Sequence, residues 1–169
     1  MNKETVVLGG GCFWCIEAVY DKVPGILSAV SGYAGGKTVN PSYEQVCAGG
    51  TGHAEVVKVE FDPSVISLQE VFALFFRAHD PTTLNRQGAD IGTQYRSIIL
   101  YNAPEQKTAA EEAVKQARRK YSEPLVTEIK SLDSFFVAEE YHQHYYEKNP
   151  KGGYCRFVIR PKLTKLGLE

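Results

Sequence analysis

The run Gly9-Gly10-Gly11-Cys12-Phe13-Trp14-Cys15 concentrates the chemistry of this chain. It follows a strand-like stretch, Thr5 to Leu8, and leads into the helical pattern of Ile16 to Tyr20. Cys12 therefore stands near a helix N-terminus, where free N–H groups and the macrodipole favour thiolate over thiol, as a nucleophile requires. Cys15 follows at i+3 on the same face, within reach of a disulfide with Cys12 if the first turn relaxes. A cysteine in isolation is usually a small buried hydrophobe. Here three glycines leave little side-chain cover over Cys12, and Phe13 and Trp14 supply an apolar wall of the kind a pocket needs. A phosphate-binding loop is excluded, because neither the GxGxxG nor the GxxxxGK[ST] spacing is present.

Two long polar segments, residues 34–52 with Tyr43 inside and residues 79–94 with Asp90 inside, resist assignment to helix or strand. Each runs into a strand that begins with polar residues, Gly52-His53-Ala54-Glu55 in one case and Gln94-Tyr95-Arg96 in the other, so both loops are expected to frame one site. Glu55 opens an apolar strand. Facing a pocket, its carboxyl would be desolvated, raised in pKa and kept protonated as a general acid; facing outward, it would be an ordinary exposed carboxylate.

The elements that must position these groups alternate. Strands are expected at Ile26 to Ser31, His53 to Phe61, Tyr95 to Tyr101 and Leu125 to Ile129, with a last edge strand at Tyr154 to Ile159 before Pro161. Ser67-Leu68-Gln69-Glu70 has capping-box spacing, and Leu68, Val71, Phe72 and Phe75 then form an apolar helical stripe. Ala103 to Tyr121 reads as a solvent-facing helix. Such alternation predicts a mixed-sheet α/β or α+β sandwich.

At 169 residues, 43% hydrophobic and 23% charged, the chain suits one domain over residues 1–169 with a substantial core. A net charge of -1 gives no electrostatic reason to expect nucleic acid or an anionic membrane as partner. With no spanning or signal-peptide segment in view, a cytoplasmic location is expected. Four cysteines are too few for a disulfide framework in a domain of this size, which favours catalytic or redox use.

Five motifs occur in order: Gly10-Gly11-Cys12-Phe13-Trp14, Ser31-Gly32-Tyr33-Ala34-Gly35-Gly36, Tyr43-Glu44-Gln45-Val46-Cys47, Gly52-His53-Ala54-Glu55, and His79-Asp80-Pro81-Thr82 through Gly92-Thr93-Gln94-Tyr95-Arg96-Ser97. Together they resemble the peptide methionine sulfoxide reductase A family over about residues 4 to 160. The resemblance implies a ferredoxin-like α/β sandwich core and reduction of the S epimer of methionine sulfoxide, free or in proteins, with thioredoxin as reductant. It implies Cys12 as nucleophile, Glu55 as acid, Tyr43 and Tyr95 as hydroxyl donors near the sulfoxide oxygen, Phe13 and Trp14 as the wall for the substrate methyl, and Asp90 as an orienting aspartate. No cofactor and no metal are expected at the site, and a monomer is expected.

The chain departs from that pattern in its recycling thiols. Many members have glycine where this chain has Cys15, and carry recycling cysteines in a glycine-rich C-terminal tail. Here Cys15 and Cys155 compete as resolving thiol, with Cys15 favoured by its proximity to Cys12. Cys47, between Val46 and Ala48, is expected to be structural. Three rival classes have partial support: a zinc module drawing on Cys12, Cys15 and two of Cys47, Cys155, His142 and His144, a Cys–His hydrolase using Cys12 with His53 or His79, and a thioredoxin-like dithiol oxidoreductase. The first lacks a second CxxC or an HxxxH, and the last does not explain Glu55 and the tyrosine loops.

Overall fold

The computed structural model describes residues 3–169. Its first half builds β1 (Glu4–Gly9), α1 (Phe13–Asp21), β2 (Ile26–Ala34), α2 (Tyr43–Ala48), β3 (Ala54–Phe61) and α3 (Leu68–Ala78). A two-residue hairpin, β4 (Arg86–Gln87) and β5 (Asp90–Ile91), and a 3-10 turn at Thr93–Tyr95 follow. The chain continues through β6 (Ile98–Tyr101), α4 (Pro104–Arg118), β7 (Glu128–Ser131), β8 (Phe135–Val137), α5 (Tyr145–Lys148) and α6 (Arg160–Lys165).

Six strands form one sheet in the order β7-β6-β1-β3-β2-β8, antiparallel throughout except for the parallel β6–β7 pair. Its middle four strands, β6-β1-β3-β2, together with α1 and α3 make the βαββαβ order of a ferredoxin-like core. The mixed α/β sandwich expected from the sequence is therefore the observed architecture. Strand alternation places Val57, Val59 and Phe61 of β3 in the main core with α1 and α3, and Ala54 and Val56 in a smaller cluster on the opposite face. By the same period Glu55 faces the α1 side.

Several segments differ from the sequence reading: residues 79–94 hold the β4–β5 hairpin, β7 begins at Glu128 rather than at Leu125, and β8 has no counterpart among the expected strands. Residues 34–52 contain α2, started by a capping box in which Ser42 Oγ accepts from Gln45 N–H and Gln45 Oε1 accepts from Ser42 N–H. Tyr95 lies in the 3-10 turn, and the strand begins only at Ile98. Residues 154–159, expected as an edge strand, are helical and run on into α6. Cys155, Ile159 and Leu163, spaced four apart, are fully buried, whereas Phe157 is 75% exposed. The Cys155–Ile159 turn is a π-helix, whose wider i→i+5 pattern admits Pro161 without breaking the rod.

Candidate active site

The glycine run delivers Cys12 from the end of β1 to the start of α1. Gly11 has φ +89°, a left-handed conformation open to glycine, and its N–H donates to the Tyr95 carbonyl at 3.1 Å. A Cβ on Gly10 would lie 2.6 Å from the His79 ring, so this position also excludes a side chain. Cys12 is the N-cap residue of α1 and is 8% exposed. The thiolate expected from the helix terminus does not form at rest. Burial, followed by the neighbouring Glu55 and Cys15, pushes the Cys12 thiol well above its ordinary value and outweighs the partial positive charge of one short helix.

Glu55 faces inward, as the pocket-facing alternative required. It is 1% exposed, and its Oε1 accepts from Phe13 N–H at 3.1 Å. Burial raises its carboxyl from 4.5 to about 8, against hydrogen bonds from Phe13 and Cys12 that act to lower it. Phe13 is buried between Tyr33 and His142. Trp14 is half-buried and fixed in orientation: Nε1–H donates to His142 Nδ1 at 3.0 Å, and its ring stacks on Tyr145 with centroids 3.6 Å apart.

Tyr43 and Tyr95 come from the two loops to the same place. Burial comes first among the causes that raise both hydroxyls, and the Glu55 carboxyl acts on each, so both remain protonated donors. Glu139 holds Tyr43, accepting from its backbone N–H at 2.8 Å through one oxygen and from the Tyr33 hydroxyl at 2.8 Å through the other. Asp90 accepts from the Tyr154 hydroxyl at 2.8 Å, and that hydroxyl lies 3.4 Å from Cys15 Sγ.

A family model for peptide methionine sulfoxide reductase matches residues 4–168. The chain belongs to the peptide methionine sulfoxide reductase family. It is 56% identical to the peptide methionine sulfoxide reductase MsrA of Leptospira borgpetersenii over 162 residues, 96% of this chain and 92% of the relative. Its fold matches the crystal structure of reduced Mxr1 from Saccharomyces cerevisiae with a TM-score of 0.86 at 38% identity, covering 90% of this chain and 89% of that one. Mxr1 in complex with Trx2 matches with a TM-score of 0.62 at 28% identity, covering 85% and 84%.

Within this family member, the structure brings Cys12, Phe13, Trp14, Tyr43, Glu55, Asp90 and Tyr95 to one end of the sheet. Cys15 is 2% exposed on the first turn of α1, its N–H donating to the Cys12 carbonyl at 3.1 Å. Cys155 is fully buried on the C-terminal helix, and after burial the nearby Cys15 is the next cause raising its thiol. It therefore does not sit on a tail. Cys47, expected to be structural, is instead exposed, beside the Tyr43 hydroxyl.

The two histidines a hydrolase would need are engaged elsewhere. His53 Nδ1 accepts from Gly36 N–H and its Nε2 faces the Thr38 carbonyl, clamping the 34–52 loop. His79 is bound at Nδ1 by the Phe75 carbonyl and at Nε2 by Ser97, and burial lowers it to about 4. Sequence reasoning missed Glu139, Tyr154 and the role of His142 in holding Trp14. All three lie outside the five motifs, and no local pattern announces contacts made across 96 to 139 residues of chain. A concavity of about 540 Å³ between α3 and α4 holds none of the site residues.

Proposed function

We propose that this chain reduces methionine sulfoxide to methionine with Cys12 as the nucleophile and Glu55 as the proton donor. Family membership carries the reaction class. One observation supports the roles above all others: a carboxyl raised to about 8 by burial lies beside the buried Cys12 thiol. A sulfoxide oxygen leaves sulfur only as it gains a proton, so attack by sulfur needs an acid across the site. Cys12 Sγ attacks the sulfoxide sulfur while Glu55 protonates the oxygen and takes up the thiol proton. Transfer of the hydroxyl to Sγ then leaves the thioether and a Cys12 sulfenic acid; the substrate sulfur is reduced by two electrons and Cys12 oxidised by two.

Tyr43 and Tyr95 donate hydrogen bonds to that oxygen, and donors fixed beforehand lower the barrier where charge develops. Phe13 and Trp14 hold the methyl group, and Asp90 orients the substrate. The sulfenic acid condenses with the Cys15 thiol, expelling water and forming a Cys12–Cys15 disulfide, which a thioredoxin dithiol reopens by exchange. The Mxr1–Trx2 complex of a relative supports that reductant. A second reading, with Cys155 as resolving thiol, draws support from its burial beside Cys15. Under this proposal residues 1–169 act as one monomeric, cytoplasmic domain; among the described residues no helix is long and apolar enough to cross a membrane.

Single turnover of reduced protein tests the roles. Cys12→Ser is expected to release no methionine while folding normally. Glu55→Gln keeps the shape without the acidic proton and is expected to slow the step by about 10²- to 10⁴-fold with substrate still bound. Equal rates for wild type and Glu55→Gln would remove Glu55 from the acid role.

A further inference from the structure

On α1, one turn and two turns after Phe13, lie two carboxylates that the redox chemistry does not use, Glu17 and Asp21. His144 reaches them from the corner before α5, held at φ 53°. Its backbone N–H donates to Glu17 Oε1 at 2.8 Å, and its ring Nδ1 lies 3.1 Å from Asp21 Oδ2. One donor atom from each of the three residues lies within 4.8 Å of the others. They line a cleft of about 280 Å³.

A second observation is independent of that clustering. Glu17 is 1% exposed, yet its Oε2 has no hydrogen-bond partner among the described residues. A buried carboxylate oxygen left without a donor is costly, and a ligand with positive charge removes the cost. The cations at the cleft do not serve it: Lys22 Nζ lies 3.7 Å and Arg160 Nε 3.9 Å from the Glu169 carboxylate, to which both are directed. Glu147, also on the cleft wall, adds a further carboxylate 3.9 Å from His144 Nδ1.

We propose that Glu17, Asp21 and His144 form a binding site for a divalent transition-metal ion. One imidazole nitrogen and two carboxylates are ligands that Zn²⁺ and Mn²⁺ both accept, with water completing the shell. The ion supplies the counter-charge that Glu17 lacks and takes the place of any proton on His144 Nδ1. It would also tie α1, whose N-cap is Cys12, to the segment in which His142 holds Trp14.

The test is a titration of the reduced full-length protein with Mn²⁺, followed by electron paramagnetic resonance of the free ion. Mn²⁺ is chosen because soft thiolates are poor ligands for it, which separates this site from Cys12 and Cys15. One saturable Mn²⁺ per chain is expected, with binding weakened about tenfold or more in Glu17→Gln and in Asp21→Asn, and unchanged in Cys12→Ser. Glu17→Gln retains an oxygen for the His144 N–H, so circular dichroism should match wild type. In wild-type protein, where no substitution can disturb folding, substoichiometric Mn²⁺ should broaden the His144 ring resonance before those of His53, His79 and His142. Absence of saturable binding, binding indifferent to Glu17→Gln, or first broadening at another histidine would each overturn the proposal.

Discussion

Because burial raises Glu55 to about 8, its carboxyl keeps its proton through neutral pH and loses it as pH rises further. The acid form is the active one in this mechanism, so single-turnover rates should fall above about pH 8, and the fall should be missing from the slow residual rate of Glu55→Gln. A wild-type rate that instead climbs steadily past pH 9 would show that thiolate formation, not the acid, limits the step. Handedness at sulfur is also a residue-scale matter. Under the proposed roles the methyl lies against Phe13 and Trp14 and the oxygen toward Tyr43, Tyr95 and Glu55, an arrangement that favours one handedness at sulfur. Separated S and R sulfoxides should therefore differ in kcat/KM by orders of magnitude in favour of S; comparable values would contradict the pocket. Of these residues, Cys12, Phe13, Trp14 and Glu55 were legible because each sits in a short motif at an element boundary. The protonation of Cys12 was not, since it follows from burial and from Glu55, 43 positions away.

At the scale of elements, α2 positions Tyr43 and depends on the Ser42–Gln45 capping box. Ser42→Ala should cost about 1 kcal/mol of stability by denaturant titration, and should raise KM more than it lowers kcat as Tyr43 loosens. An unchanged midpoint and KM would show that the capping box does not hold Tyr43 in place. That capping box was readable from Ser42-x-x-Gln45 but lay inside a glycine-rich segment that otherwise resembles loop. Amphipathic α3 was legible from its period of 3.6, and β3 from the strict alternation of Val57 to Phe61. The C-terminal helix misled because Phe157-Val158-Ile159 is a β-like triplet before Pro161, while its true signal, Cys155, Ile159 and Leu163 at four-residue spacing, spans the proline. Its helical form bears on recycling: Cys155→Ser should retain thioredoxin-coupled turnover, whereas Cys15→Ser should release one equivalent of methionine and then stall. The reverse pattern would make Cys155 the resolving thiol.

For the whole molecule, buried Glu55 and His79 shape stability against pH with opposite signs. Glu55 is raised on folding from 4.5 to about 8, so its contribution is complete below about pH 4.5 and is lost as pH rises through about 8. His79 is lowered from 6.5 to about 4, so its contribution is complete above about pH 6.5 and is lost as pH falls through about 4. The two offset one another between about pH 4.5 and 6.5; Glu17, which burial raises to about 7, adds its own fall up to about pH 7, and Glu55 carries the fall on to about pH 8. Thermal unfolding should therefore show Tm falling between about pH 7 and 8, by up to about 1.4 kcal/mol of stability per pH unit, and Glu55→Gln should flatten that fall. Equal slopes in the two proteins would contradict the burial of a neutral Glu55. The ferredoxin-like core brings that carboxyl under Cys12, and the redox cycle rests on their pairing. It is tested most directly by mixing fully reduced protein with one equivalent of methionine S-sulfoxide without reductant, quantifying methionine, and mapping the thiols by mass spectrometry. One equivalent of methionine and a Cys12–Cys15 disulfide are expected; no methionine, or a first disulfide that omits Cys12, would contradict the mechanism.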